Sequence, residues 1–264
     1  MHGADNGALV VRRDDDGIAT LTLNRPASRN ALSMAMMAAL IDHLDTLDAD
    51  ASVKVVVIAA DGPAFCAGHD LKEMRGLGQD AAALAAVFAR CSQLMRRIQS
   101  LRQPVIARVH AMATAAGCQI VATADLAIAA EGVRFATPGV NIGLFCSTPM
   151  VALTRNIGRK QAMEMLLTGE TIDAATAERF GLINRAVPAA ELDDAVLALA
   201  RRITSKSPLT LAIGKEAFYR QAEMPTTEAY AYASEVMTRN MLARDAQEGI
   251  GAFIEKREAV WTGC

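Results

Sequence analysis

QPVIARVHAMATAAGCQIVATADLAIAAEGVRFATPGVNIGLFCST, residues Gln103 to Thr148, is the stretch on which the fold of this 264-residue chain turns. Val105 to Val109 is a buried-strand run. It leads into a turn of small residues, Ala113-Thr114-Ala115-Ala116-Gly117, then into an apolar helix and a second short strand, Leu126 to Ala130. Small residues at a strand-to-helix turn let backbone approach another group closely. The first N–H groups of a helix also lack partners inside it, so such a turn suits an oxygen that carries negative charge. Taken alone, the turn reads better as a tightly packed strand–helix corner with no chemistry.

Upstream, Leu9 to Arg13 and Ile18 to Leu23 flank Asp14-Asp15-Asp16-Gly17, a hairpin signal. Asn24-Arg25-Pro26 ends the second strand, because proline cannot continue a ladder. Ser33 reads as the N-cap of a helix that keeps Met37, Ile41, Leu44 and Leu47 at helical spacing. Val53 to Ala60 is nearly all apolar, as in a strand covered on both faces. Asp61 to Met74 (DGPAFCAGHDLKEM) is a loop closed by a short helix, with Asp70 as its cap and Lys72 in its first turn. Ala81 to Leu101 is a long amphipathic helix carrying Leu84, Val87, Phe88, Cys91, Met95 and Ile98 on one side. Downstream, helices begin near Pro149, Arg159, Asp173, Glu191, Pro208 and Thr227, with one strand-like run at Ile183 to Val187. The pattern is α/β over residues 1–190, followed by a helical region over 191–264. No GxGxxG follows the first strand and no GxxxxGK[ST] occurs, which counts against nucleotide-binding folds of those kinds.

An apolar share of 52% with only 4% aromatic residues fits close helix packing in an α/β protein. The formal net charge of −2 argues against a nucleic-acid partner. Five cysteines (Cys66, Cys91, Cys118, Cys146, Cys264) form no CxxC and no metal spacing, so no metal site is expected and the thiols read as reduced. No apolar run reaches membrane-spanning length. The N-terminal MHGADNGALVVRRDDD has neither an apolar leader core nor an acid-poor, Arg-rich transit pattern. A cytoplasmic protein without membrane partners is the expectation.

Several stretches together resemble the enoyl-CoA hydratase/isomerase (crotonase) superfamily: LNRPASRNALS (Leu23 to Ser33), VVVIAADGPAFCAGHDLKEM (Val55 to Met74), PVIARVHAMATAAGCQIVATADLAIAAEGVRFATPGVNIGL (Pro104 to Leu144), TGETIDAATAERFGLINRAV (Thr168 to Val187) and EGIGAFIEKRE (Glu248 to Glu258). Within it, the GHDLKE and ATAAGCQ signatures look most like the enoyl-CoA hydratase domain-containing protein 3 group. The resemblance implies a spiral of ββα turns with a C-terminal helical region that builds homotrimers or homohexamers. It implies no permanently bound cofactor, coenzyme A being part of an acyl-CoA ligand. The shared chemistry of the superfamily holds a thioester carbonyl between two backbone N–H groups, which by position fall on His69 and Ala116. Arg25 and Arg29 match the nucleotide-contacting turn, and Ala67, Asp70, Leu71 and Lys72 match the lining of the adenine and pantetheine site. Phe253 and Lys256 match tail residues that reach the CoA of a neighbouring subunit. Each has a plain structural reading as well: Arg29, Lys72 and Lys256 as solvated charges, Phe253 as core.

The chain departs from the hydratases of this superfamily at three places. Where those enzymes carry paired glutamates, this sequence has Gln119 in Gly117-Cys118-Gln119 and Gly139 in Phe135-Ala136-Thr137-Pro138-Gly139. Neither can take up or deliver a proton at neutral pH, as addition of water requires. The glycine-rich segment that usually follows is replaced by Cys146-Ser147-Thr148-Pro149. Three readings stand: an acyl-CoA carrier or regulator with little hydratase activity; another reaction class, such as isomerisation or decarboxylation of a malonyl-type thioester; or a hydratase with its base relocated to His69, Cys146, Ser147 or Thr148. Some decarboxylases of the superfamily also carry histidine after the glycine at this point.

Overall fold

The computed structural model describes residues 7–264, so the first six residues of the N-terminal stretch read above lie outside the described chain. The three-aspartate turn forms a hairpin: β1 (Val10–Asp15) and β2 (Ile18–Leu23) pair antiparallel, with Asp16 and Gly17 at positive φ (45° and 75°), as a two-residue connection requires. β2 then pairs in parallel with β3 (Val55–Ala60), from Ile18 opposite Val55 to Leu23 opposite Ala60. All six residues of β3 are buried, which is why the run shows no polar alternation. Parallel neighbours need a crossover. Helix α1 (Met34–Ala49) provides it, capped by Ser33, whose side chain accepts from the Met36 N–H.

The same unit then recurs. Each later pass of the chain leaves one longer strand in a six-stranded sheet and one short strand in a four-stranded sheet. β3 is followed by β4 (Ala64–Cys66), β5 (Val105–Val109) by β6 (Met112–Thr114), and β7 (Leu126–Ala130) by β8 (Arg134–Ala136). The larger sheet has the order β1-β2-β3-β5-β7-β10 and the smaller β4-β6-β8-β9, with β9 at Ile172–Asp173 and β10 at Arg185–Val187. Helices α2 (Leu71–Gly76) and α3 (Ala81–Ser100) join the first pass to the second, and α4 (Ala116–Thr123) joins the second to the third. The chain is thus a spiral of ββα turns, the α/β architecture expected from the resemblance. Phe65 and Phe135, one on each of two short strands, are fully buried, each worth roughly 1.5–3 kcal/mol of transfer free energy.

The third pass ends in α5 (Ser147–Leu153), α6 (Arg159–Thr168) and α7 (Ala174–Phe180), and α8 (Leu192–Thr204) follows. Helix α8 buries Leu192, Val196 and Ala200 and packs on β3, β5 and β7, so the apolar core runs on past residue 190. The last helices, α9 (Pro208–Gln221), α10 (Thr226–Met241) and α11 (Arg244–Glu255), pack chiefly on one another. Among the described residues no helix is long and apolar enough to cross a membrane, and no group of three or more His, Cys, Asp or Glu side chains is placed to hold a metal.

Helix α9 contains no fully buried residue, yet it is tied to the core by charge. Lys215 Nζ lies 2.7 Å from Asp125 Oδ2 and donates to the carbonyls of Ile98 and Gln103, while the Tyr219 hydroxyl donates to Asp125 Oδ1 at 2.8 Å. Burial lowers the Lys215 pKa more than Asp125 raises it, and burial with the Asp125 charge raises that of Tyr219. Removing one member of a buried ion pair leaves the other uncompensated. Asp125→Ala should therefore cost about 3–5 kcal/mol in urea unfolding, whereas Tyr219→Phe should cost roughly 2 kcal/mol. Equal, small losses for the two variants would show that the latch is solvated.

Candidate active site

The turn after β4 is fixed from several sides. Asn30, fully buried and at φ 53°, accepts the Arg25 N–H on Oδ1 and donates from Nδ2 to the carbonyls of Asp61 and Ala64, each at 2.8 Å. The Ala67 N–H donates to the Arg29 carbonyl, the Leu32 N–H to the Gly68 carbonyl and the Asp70 N–H to the Leu32 carbonyl. Asp70 caps α2 through the Lys72 and Glu73 N–H groups and pairs with Arg25 at 2.7 Å. Burial pushes the Asp70 carboxyl up, but Arg25 and those two amides outweigh it and hold the group below the usual carboxylate range.

Opposite this turn stands the N-terminus of α4. Ala115 has φ 49° and ψ −118°, a conformation that costs an L residue of order 1–3 kcal/mol. Gly68, at φ +93°, packs against it: a Cβ at position 68 would lie 2.8 Å from the Ala115 Cβ and 3.4 Å from the Ala116 nitrogen. Gly117 is tighter still, since a Cβ there would lie 2.1 Å from the Cys66 carbonyl oxygen. The two turns are therefore in direct backbone contact. Neither the His69 nor the Ala116 N–H has a hydrogen-bond acceptor among the described residues.

Beside these amides opens a cavity of about 460 Å³. Ala67, His69 and Ala115 lie on its wall, with Leu71 and Met74 of α2 and Phe88 of α3; the segment from Pro138 to Pro149 forms much of the remainder. His69 meets Phe88 edge-on at 5.5 Å, its Nε2 is buried without a partner, and burial pushes its pKa down, so the ring is neutral at pH 7. Cys146 is buried in the wall, and burial raises its pKa against a hydrogen bond from the Gly139 N–H.

Comparison with known proteins settles the lineage. The family pattern described as enoyl-CoA hydratase/isomerase matches residues 13–264. The chain belongs to that family. It is 48% identical over 253 residues to the human enoyl-CoA hydratase domain-containing protein 3, mitochondrial, covering 95% of this chain and 82% of that one. The crystal structure of the human protein superposes with a TM-score of 0.93 at 45% identity, covering 96% of this chain and all (100%) of that chain. That of an enoyl-CoA hydratase from Mycobacterium smegmatis gives a TM-score of 0.94 at 52% identity, covering 96% and 99% of the two chains. Proteins of this family bind CoA thioesters. One expectation is corrected: five relatives, from rat, mouse, human, Xenopus laevis and Danio rerio, are named as mitochondrial, against the cytoplasmic placement read from the sequence. Compartment is set by a targeting segment rather than by the folded domain. Scattered reduced cysteines separate reducing from oxidising surroundings, not cytosol from organelle.

Against the family pattern, the residues sort clearly. Ala67, His69 and Leu71 line the cavity; Asp70 and Arg25 form an ion pair at the start of α2; Arg29, before α1, and Lys72, in the first turn of α2, are exposed. Gln119 does not reach the cavity. It is buried between α4 and α3, where Oε1 accepts from Cys91 Sγ at 3.7 Å, so it is not placed to orient a water beside a ligand. Gly139 does line the cavity, but a Cβ there would lie 2.7 Å from the Leu144 carbonyl oxygen and 3.0 Å from Cys146 Sγ. A glutamate at 139 is excluded unless residues 140–146 move. Phe253, on α11, is 85% exposed rather than core, and Lys256 caps that helix in the left-handed region; neither lines the cavity. Sequence reading placed Phe88 on the packed side of its helix, whereas its ring is a cavity wall. It missed Ile142, Leu144 and Phe145 altogether; three large apolar residues within a glycine-flanked loop were the available signal.

The contact between the two turns has a direct test. Gly117→Ala drives a methyl group into the Cys66 carbonyl, where no flexible side chain can yield, and should cost about 3 kcal/mol in denaturant unfolding. An unchanged midpoint would show that α4 shifts freely and that the amides are not held.

Proposed function

We propose that the protein binds acyl- or enoyl-CoA thioesters of fatty-acyl metabolism, with the thioester oxygen between the His69 and Ala116 amides, and that it catalyses little ordinary hydration. The supporting observation is that pair of unengaged amides, set on turns in backbone contact beside an apolar cavity. Preorganised amide donors stabilise the negative charge that develops on a thioester oxygen as an enolate forms. Coenzyme A is then part of the ligand rather than a resident cofactor. Arg25, Arg29, Ala67, Asp70, Leu71 and Lys72 would follow its pantetheine and nucleotide portions.

Hydration also needs one group to take a proton from water and one to deliver a proton to carbon. Gln119 faces α3 and Gly139 has no side chain, so neither position supplies them. A second reading is favoured by one observation: His69 lines the cavity as a neutral ring with an unpaired nitrogen, which suits a relocated proton carrier. An assay of crotonyl-CoA hydration beside calorimetric binding of a saturated acyl-CoA separates these. Each acid/base group contributes about 10²–10⁴-fold, so the protein should bind the saturated thioester while hydrating crotonyl-CoA several orders of magnitude more slowly than ordinary hydratases. Hydration at an ordinary rate would overturn the main reading. His69→Ala, which keeps the amide, should leave any residual rate unchanged; its collapse would give the chemistry to the ring.

We infer also that the helices after α8 join copies of this chain into trimers or hexamers. Phe253, Ile254, Leu242 and Met237 are large apolar side chains left open on α10, α11 and the turn between them, more than a monomer ordinarily leaves in one region. Light scattering at micromolar concentration should give a trimeric or hexameric mass, and a monomeric mass would refute this.

A further inference from the structure

We propose that the acyl side of the cavity selects an uncharged aliphatic acyl group and rejects chains bearing a second carboxylate, with Phe145 as the residue that sets this choice. The inference rests on the thioester reading above and goes beyond it by naming the acyl class. Its first ground is what the wall lacks. Among the described residues no Lys, Arg, Asp or Glu lines the cavity, and the titratable groups there are His69 and Cys146. Burial keeps the imidazole neutral and the thiol protonated. A carboxylate entering this space would shed water without meeting a counter-charge, which is among the costliest ways to bury a group.

The second ground is what the wall contains. Met74 from α2, Phe88 from α3, and Ile142, Leu144 and Phe145 from the loop before α5 converge on one concavity. Ile142, Leu144 and Phe145, within four consecutive positions, are 58%, 51% and 41% exposed. Apolar side chains gathered in a concave surface mark a place where apolar matter is received. The backbone that carries Phe145 is fixed: its carbonyl accepts the Ser147 N–H at 2.7 Å and the Ser147 hydroxyl at 3.3 Å, and the neighbouring Leu144 N–H donates to the Gly139 carbonyl at 2.9 Å. The loop that fills the space above Gly139 therefore also presents the aromatic ring to the acyl chain. The same uncharged wall weighs against a malonyl-type thioester as ligand.

The test is a calorimetric series on the intact protein with free CoA, butyryl-, hexanoyl-, octanoyl- and adipyl-CoA. Each added methylene from butyryl to octanoyl should raise affinity about fourfold. Adipyl-CoA, which matches hexanoyl-CoA in length but ends in a carboxylate, should bind at least tenfold more weakly than hexanoyl-CoA. Phe145→Arg should erase or reverse that preference. Ile142→Lys, at a still more exposed position, should move it the same way and guards against a folding defect in the first variant. Adipyl-CoA binding the wild type as tightly as hexanoyl-CoA would overturn the inference. So would equal affinity for free CoA and every acyl-CoA, which would place the acyl group outside this cavity while leaving a CoA site. Absence of binding by all the CoA compounds would overturn the thioester reading itself, and this inference with it.

Discussion

Everything the candidate site offers depends on one contact: the backbone of Cys66 to His69 lying against the first turn of α4. Position 117 has no room for a β-carbon because the Cys66 carbonyl stands where it would go, and position 68 has none because Ala115 does. Parallel pairing of β4 with β6 brings the two turns together, and an irregularity in register between Ala64 and Cys66 marks where the strand bends into its turn. Strands of three residues could not hold such a contact by themselves. They hold it because Phe65 and Phe135 anchor the small sheet in the core and Asn30 ties the preceding loop to the same turn. The strained backbone at Ala115 persists for the same reason: its N–H donates to the Ala136 carbonyl at 2.9 Å, and Gly68 closes the other side.

At positions 119 and 139 the backbone around each residue constrains the cavity as much as the side chain does. The resemblance puts paired glutamates at the positions of Gln119 and Gly139, which invites the idea that introducing two glutamates would give a hydratase. The geometry says otherwise. The Leu144 carbonyl occupies the place a side chain at 139 would need, and the Gly139 N–H is turned toward Cys146. Position 119 has in turn become part of the packing between α4 and α3, with Cys91 as its neighbour. A loop folded over position 139 leaves no room there for a longer side chain, and packing against α3 keeps position 119 out of the cavity.

Local signals in the sequence were legible where one residue's chemistry decides the structure. Ser33, Asp70 and Asp173 each cap a helix as hydroxyl and carboxylate side chains do, and the aspartate-glycine turn closes its hairpin. Long buried strands and amphipathic helices were legible through periodicity. The short strands were not. Three residues such as Met112 to Thr114 are too few to show alternation, and their strand character comes from neighbours far away in sequence. Asn30 escaped notice because an asparagine in a turn is ordinary until its three partners are known. Phe88 shows the limit of the helical-face argument, which finds the apolar side of a helix but cannot say whether that side meets core or empty space. The recurring ββα unit left no trace as a sequence repeat, since only burial recurs from one pass to the next.

The C-terminal helices follow a different rule from the rest of the molecule. The spiral is held by a dry core, whereas α9 docks through Lys215, Asp125 and Tyr219. The chain after α11 is drawn back by Asp245, a buried carboxylate that accepts from the Ser207 hydroxyl, from both the amide and hydroxyl of Thr262, and from the Gly263 amide. Burial pushes that carboxyl up, but these donors outweigh it and hold it at about 2, so it stays ionised across the physiological range. Polar anchoring of this kind fixes the position of a helix without consuming its apolar face. That is how α11 can be tied to the start of α9 and to the chain's end and still present Phe253 and Ile254 outward. Docking by apolar packing would have buried those same residues instead.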